Sequence, residues 1–377
     1  MKPRVCLLVV LIILFSAVCF SGCSSGKVDS NNTSEGVSSK ANWTNTGGKV
    51  SNFSADALAY DSAHNVLYAG CKQQVERTGV TAGRGVWKYD GKSWTDTGGE
   101  ISNYHIASLA YDSAHNLLYA GCYKLSPGEV SSQEPHGVGV WKYNGKTWTS
   151  TGRQVRSFEA SALAYDSARN ILYAAFQYTT NTDGVWKYDG KSWTNTGADN
   201  YSIVSLAYDG KHNLLYAGTR GDKGGVLKYT GTEWTNTGGG VSGFWVDCLA
   251  YDSVHNMLYA GTGAGVEDIN HFGHSVWKYD GTNWTNTGGV VSSYSVDSLA
   301  CDSAHNTIYA NYYFNGNYPG QKGVWKYDGT TWTNISDEEV PNYRLRPLAY
   351  DSRNNLLYAG CMDEMVNGKG VWKYDAH

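Results

Sequence analysis

The sequence is poor in several things, and each shortage narrows the field. Proline is scarce, at 6 of 377 residues, and charged residues make up only 17%. Neither stands in the way of many short strands. The formal net charge is −4 and no basic cluster occurs, so nothing steers the chain to nucleic acid. No segment carries a helical period, which excludes helical and alternating α/β architectures. Catalytic punctuation is also missing: there is no Cys-x-x-Cys, no His-Glu-x-x-His and no Gly-x-Ser-x-Gly. No catalytic residue, metal site or cofactor is therefore assigned. The one long apolar run is Val5 to Phe20, short for a membrane span of about 20 residues.

That run sits in a processing signal. Lys2 and Arg4 give a positive start, the apolar core follows, and Phe20-Ser21-Gly22-Cys23 ends on small residues. The ending resembles the lipobox of prokaryotic lipoproteins, with Phe20 where Leu is usual. The resemblance implies that residues 1–22 are removed and that Cys23 is lipidated. Ordinary cleavage and an uncleaved anchor are the alternatives, and all three export the chain. Residues 23–41, rich in Ser, Asn and Gly, read as a flexible tether. The expected location is the outer side of the cytoplasmic membrane or the cell surface, with the membrane itself a partner.

What is abundant is aromatic and repeated. There are 29 Tyr, 14 Trp and 45 Gly. Leu-Ala-Tyr-Asp-Ser, with variations, starts at Leu58, Leu109, Leu163, Leu206, Leu249, Leu299 and Leu348, giving seven copies spaced 43 to 54 residues apart. Three further blocks follow in each copy but the last, which has two; they are typified by Asn116 to Gly121, Gly85 to Gly91 and Trp284 to Gly289. Each block reads as a short strand. The first two are joined by an Asp-Ser-Ala-His-Asn turn, and the last two by Asp-Gly, a strong hairpin signal. Four strands per repeat at this period predict an all-β chain, a seven-bladed β-propeller of four-stranded antiparallel blades spanning residues 42–377. Trp43 to Gly48 is a fourth-strand block without preceding strands, whereas Gly370 to Asp375 is a third-strand block without a successor. The N-terminal strand is expected to complete the last blade and close the ring as a monomer, removing an exposed seam.

The blocks, including Val291 to Val296, Leu299-Ala300, Asp302, Asn306 and Gly323 to Gly329, resemble the two-component-regulator propeller repeats of extracytoplasmic sensor domains. The resemblance covers residues 43 to 375 and implies a propeller that senses by binding. In that family the propeller is often fused to a transmembrane helix and a kinase, neither of which stands in this sequence. The Asp-Gly-x-x-Trp turns, such as Asp90 to Trp94, resemble the Asp-box of sialidase propellers, one residue short.

Antiparallel order gives the ring two unlike faces. One has near-uniform tight turns. The other carries the inter-blade links and the variable inserts Cys71 to Arg84, Cys122 to Val138, Thr262 to His274 and Tyr312 to Lys322. Variable loops on a rigid scaffold are where binding usually resides. Five residues before each repeat's Leu stands an aromatic: Phe53, Tyr104, Phe158, Tyr201, Phe244, Tyr294 and Tyr343. Such regularity points to blade packing, with a sugar-stacking platform as the alternative. Positions four and two before the Leu vary freely. They supply the candidate ligand-binding residues Asp56, His105, Glu159, Trp245, Asp247, Asp297, Arg344 and Arg346, a polar set suited to an anionic or hydroxylated ligand or to a solvated channel.

His64, His115, His212, His255 and His305 recur at one turn position on separate blades, too dispersed for one ion, and read as turn chemistry. Beyond Cys23, the propeller holds Cys71, Cys122, Cys248, Cys301 and Cys361. Equivalent second-strand cysteines on neighbouring blades should stand roughly 10 Å apart, beyond disulfide reach. Free thiols outside the cell would suit a reducing habitat. The function expected is a non-catalytic binding or interaction module for a protein, glycan or small molecule. A lectin is the alternative, and a polysaccharide hydrolase or lyase a more distant one.

Overall fold

The computed structural model describes residues 43–74, 81–124, 136–177, 184–263, 275–289, 295–313, 323–336, 344–362 and 369–376. All lie in the compact unit Lys40–His377. The leader 1–22, Cys23 and the tether lie outside the described residues, as do Tyr294, Tyr343, residues 75–80 of the first variable insert and most of the other three. No helix of the described residues is long and apolar enough to cross a membrane.

Each repeat folds into a four-stranded antiparallel sheet, and there are seven such sheets. Blade 1 has strands Ser54–Asp61, Val66–Gln74, Thr81–Tyr89 and Trp94–Asp96. The first strands of blades 2 to 7 are His105–Asp112, Glu159–Asp166, Ser202–Asp209, Trp245–Asp252, Ser295–Asp302 and Arg344–Asp351. First strands touch their neighbours in a closed cycle, blade 7 against blade 1 included. In blade 7 the outer strand is Trp43–Asn45, paired antiparallel with Val371–Asp375 so that Trp43 faces Tyr374 and Asn45 faces Trp372.

The turn chemistry follows from the residues. Asp61 Oδ1 accepts the backbone N–H groups of Ala63 and His64, and Asn65 takes the left-handed conformation at φ 59°. The buried aspartate does a second job. Tyr208 Oη donates to Asp166 Oδ2 at 2.7 Å, and Tyr350 Oη to Asp302 Oδ2 at 2.7 Å, each bond crossing from one blade to the one before. Each turn histidine rests on its own aspartate, as His64 Nδ1 does on Asp61 Oδ2 at 2.7 Å.

The core lies between blades. Ala57, Tyr68 and Val86 of blade 1 pack with Ile106, Leu118 and Cys122 of blade 2, and Tyr68 stacks on Tyr111 at 5.9 Å. The approach is close enough that a Cβ on Gly70 would stand 2.6 Å from Ile106 Cβ, so a side chain there would force the blades apart. At the rim, fourth-strand tryptophans donate backwards around the ring: Trp94 Nε1 to Thr46 Oγ1, Trp148 to Thr97 and Trp193 to Thr151. Trp43 Nε1 donates to the Ile335 carbonyl of blade 6 at 2.8 Å.

Candidate functional site

One irregularity recurs in all seven first strands. Pairing with the second strand skips between Ala55 and Ala57, Ile106 and Ser108, Ala160 and Ala162, Ile203 and Ser205, Val246 and Cys248, Val296 and Ser298, and Leu345 and Leu348. A β-bulge re-aims the side chain of its extra residue. The skipped residues are Asp56, Ala107, Ser161, Val204, Asp247, Asp297 and Arg346, the last followed by Pro347. All of them line a single cavity of about 380 Å³. The bulge also releases a polar atom for the neighbouring blade: Ser108 Oγ donates to Ala160 O, and Ser298 Oγ accepts from Leu348 N.

The second strands add Lys72, Tyr123 and Arg220 to the wall. These three were missed from sequence alone. The signal that could have found them is register, because Lys72 faces Ser54, Tyr123 faces His105 and Arg220 faces Ser202. The wall residues stand at the starts of first strands and the ends of second strands.

Three ion pairs ring the cavity. Lys72 Nζ lies 2.9 Å from Asp56 Oδ2, Arg220 Nε lies 2.6 Å from Asp247 Oδ1, and Arg346 Nε lies 3.8 Å from Asp297 Oδ2. The three carboxylate side chains are 15%, 10% and 8% exposed, whereas Arg220 and Arg346 remain more than a third exposed. Burial pushes the Asp247 carboxyl above its ordinary value; Arg220 pulls it back, and the nearby Asp297 charge raises it again. Glu159 also lines the wall. Burial raises the Tyr123 hydroxyl, and the charges of Asp56 and Glu159 add to that rise. Asp56 Oδ1 is buried without a hydrogen-bond partner.

Of the eight candidates, Asp56, Glu159, Asp247, Asp297 and Arg346 therefore meet on this wall. His105 stands behind it, stacked on Tyr123 with ring centroids 4.8 Å apart and with Nε2 3.2 Å from Thr81 O. Its Nδ1 is buried without a partner, and burial, then the Lys72 charge, hold its pKa below the usual 6.5. Trp245 is not among the wall residues; its Nε1 is buried without a partner. The Arg344 side chain lies outside the described residues, although its backbone pairs with Met362.

The recurring aromatics pack inward on the third-strand tryptophan of their own blade. Phe53 meets Trp87 at 5.6 Å, Tyr104 meets Trp141 at 6.0 Å, Phe158 meets Trp186 at 6.0 Å and Phe244 meets Trp277 at 6.4 Å. Tyr201 has no such partner because Leu227 fills the tryptophan position, and Lys223 Nζ lies over its ring instead at 5.1 Å. The five propeller cysteines are free thiols, four of them buried, and burial pushes the Cys301 thiol up to about 12. Among the described residues no group of three or more His, Cys, Asp or Glu is placed to hold a metal ion.

No protein-family model matches the chain, and no curated protein does. Solved structures do match. Two crystal structures of the extracellular domain of BT4673 from B. thetaiotaomicron, described as a one component system in one and a hybrid two component system in the other, align with TM-scores of 0.58 and 0.59 at 16% and 15% identity. They cover 85% and 88% of this chain, which itself spans only 38% and 39% of theirs. The Niastella koreensis GH74 enzyme aligns with a TM-score of 0.58 at 16% identity, covering 86% of this chain and 52% of its own. At such identities the likeness is one of fold alone, and one propeller fold hosts many functions.

Proposed function

We propose that this chain is an extracytoplasmic binding module, held to a membrane by its N-terminal segment, that takes a small polar ligand into the central cavity without transforming it. The observation that carries this is the convergence of seven bulge residues, one from each blade, on one charged cavity. A bulge re-aims one side chain without disturbing the blade behind it, so the wall can vary while the scaffold stays constant. The wall residues belong to the end of the ring that carries the variable inserts, and ligand entry is assigned to that face. The extracellular setting of BT4673 supports the location.

The binding reading is tested by thermal-shift screening of the full chain against a small-molecule library, beside Ala107→Trp, which fills the cavity from blade 2. Ligands that raise the melting temperature of the parent should lose that effect in the variant. Hits equally effective on both would place binding elsewhere. Anchoring is tested by metabolic palmitate labelling, which Cys23→Ser should abolish; label retained in that variant would remove Cys23 as the lipid site.

A second reading has one observation in its favour. The raised carboxyl of Asp247 beside Asp297 is the kind of pair that polysaccharide hydrolysis uses, and the GH74 enzyme shares the fold. Each of the two is bound to an arginine, which favours binding over proton transfer. Polysaccharide cleavage by the full chain that Asp247→Asn abolishes would establish this reading instead.

A further inference from the structure

Resting on the binding reading above, we propose that the cavity selects ligands carrying a cationic and an anionic group together, in the size range of an α-amino acid or dipeptide. The argument starts from the way the wall charges are already used. Every described cation on the wall has a carboxylate partner: Lys72 has Asp56, Arg220 has Asp247 and Arg346 has Asp297. Those carboxylates are at most 15% exposed. An anion that docks on Arg220 draws it away from Asp247 and leaves a desolvated carboxylate without its counter-charge. An amine that docks on Asp247 strands Arg220 in the same way. Breaking one side of a buried pair is costly because the remaining charge is not resolvated. A ligand with both signs avoids that cost. Its carboxylate takes the arginine and its ammonium takes the aspartate, so one internal pair is exchanged for two across the interface.

Three further features agree. The described wall has four carboxylates, with Glu159 as the fourth, against three cations, so a ligand of net charge zero or above is favoured over an anion. Asp56 Oδ1 is buried without a donor, and an ammonium brings three N–H groups. Ala107, Val204 and Pro347 give the wall short apolar patches against which a carbon skeleton can rest. The volume of about 380 Å³ is at the small end of the roughly 300–1,000 Å³ seen for small-molecule sites.

The test is isothermal titration of the full chain in detergent with a defined panel. The zwitterions are L-alanine, L-glutamine, L-lysine and alanyl-alanine. Each is matched by its N-acetyl derivative, which lacks the cation, and its carboxamide, which lacks the anion; glucose and cellobiose are the uncharged probes. At least one zwitterion should bind, and masking either end should weaken it at least tenfold. Arg220→Gln and Asp247→Asn should each weaken the zwitterion while narrowing its advantage over the masked form that lacks the matching group. Ala107→Trp, which keeps all the ion pairs, should abolish binding and stands in should either charge variant fail to fold. Equal affinity for masked and unmasked forms would overturn the proposal, as would binding of sugars or single-charge probes alone, while the binding reading survived. Binding that persists in Ala107→Trp, or a panel and a library that are both silent, would sink both.

Discussion

His105 shows how a residue can stand beside a cavity and reach it only through a neighbour. It is buried behind Tyr123, and burial, then Lys72, keep it neutral by lowering its pKa. The unfolded chain takes up a proton as the pH drops through about 6.5, but the folded chain resists it, so this residue's contribution is fully present above that value and is lost as the pH falls toward the lowered one. Replacing His105 with Gln should lower the melting temperature at neutral pH, through the lost stacking, and flatten its decline between pH 7 and 5. Melting curves across that range check it, and an unchanged slope would show that other groups set the acid limit. At this scale the sequence was partly legible. Asp56, Asp247, Asp297 and Arg346 stood out because the repeat made their variation visible against a constant background. Lys72 and Arg220 did not, because their role depends on which residue faces them across the sheet and on a charge met in the folded state only.

Among the elements, the Asp-Ser-Ala-His-Asn turn ties each blade to the next. Asp166 accepts from the backbone N–H groups of Ala168 and Arg169, from Arg169 Nη1 and from Tyr208 Oη of blade 4, with no part of it exposed. Hydrogen bonds to a charged group contribute about 1.5–3 kcal/mol, and a neutral-type loss about 1. Tyr208→Phe, which removes one hydrogen bond to that carboxylate, should therefore cost about 1.5 kcal/mol, and Asp166→Ala, which removes it together with the bonds inside the turn, about 3 kcal/mol or more. Denaturant titration of both variants checks the order, and a Tyr208→Phe loss equal to that of Asp166→Ala would mean the inter-blade bond is the turn's main contribution. Turns and hairpins were readable because their φ angles demand Asn, Asp and Gly. The bulges were not. An extra residue within a strand leaves no compositional mark when that residue is Asp in one blade, Ala in the next and Val in another.

At the scale of the whole ring, seven blades were countable from the repeat, and the odd block at Trp43 pointed to its partner strand. Trp43 is buried, lies tilted against Tyr374 with ring centroids 5.3 Å apart and donates to Ile335 O. Trp43→Ala should cost about 3–5 kcal/mol, as large-to-small changes at buried tryptophans do. Deleting residues 43–45 should in addition leave Val371–Asp375 with an open edge and raise the oligomer fraction, read by light scattering after gel filtration; a monodisperse deletion variant would show that the edge is otherwise covered. The same strand has a mechanical meaning. Any load reaching the blades from residues before Trp43 arrives at three backbone pairings, one indole hydrogen bond and the grip of Thr46 on Val371 O. That strand is the outermost of its blade and the shortest kind in the ring, so it acts as the fuse: a pull would peel it away before any other strand carried strain, loosening the rim of blade 7 from Ile335 of blade 6 and Trp94 of blade 1 while the other six blades kept their own four strands.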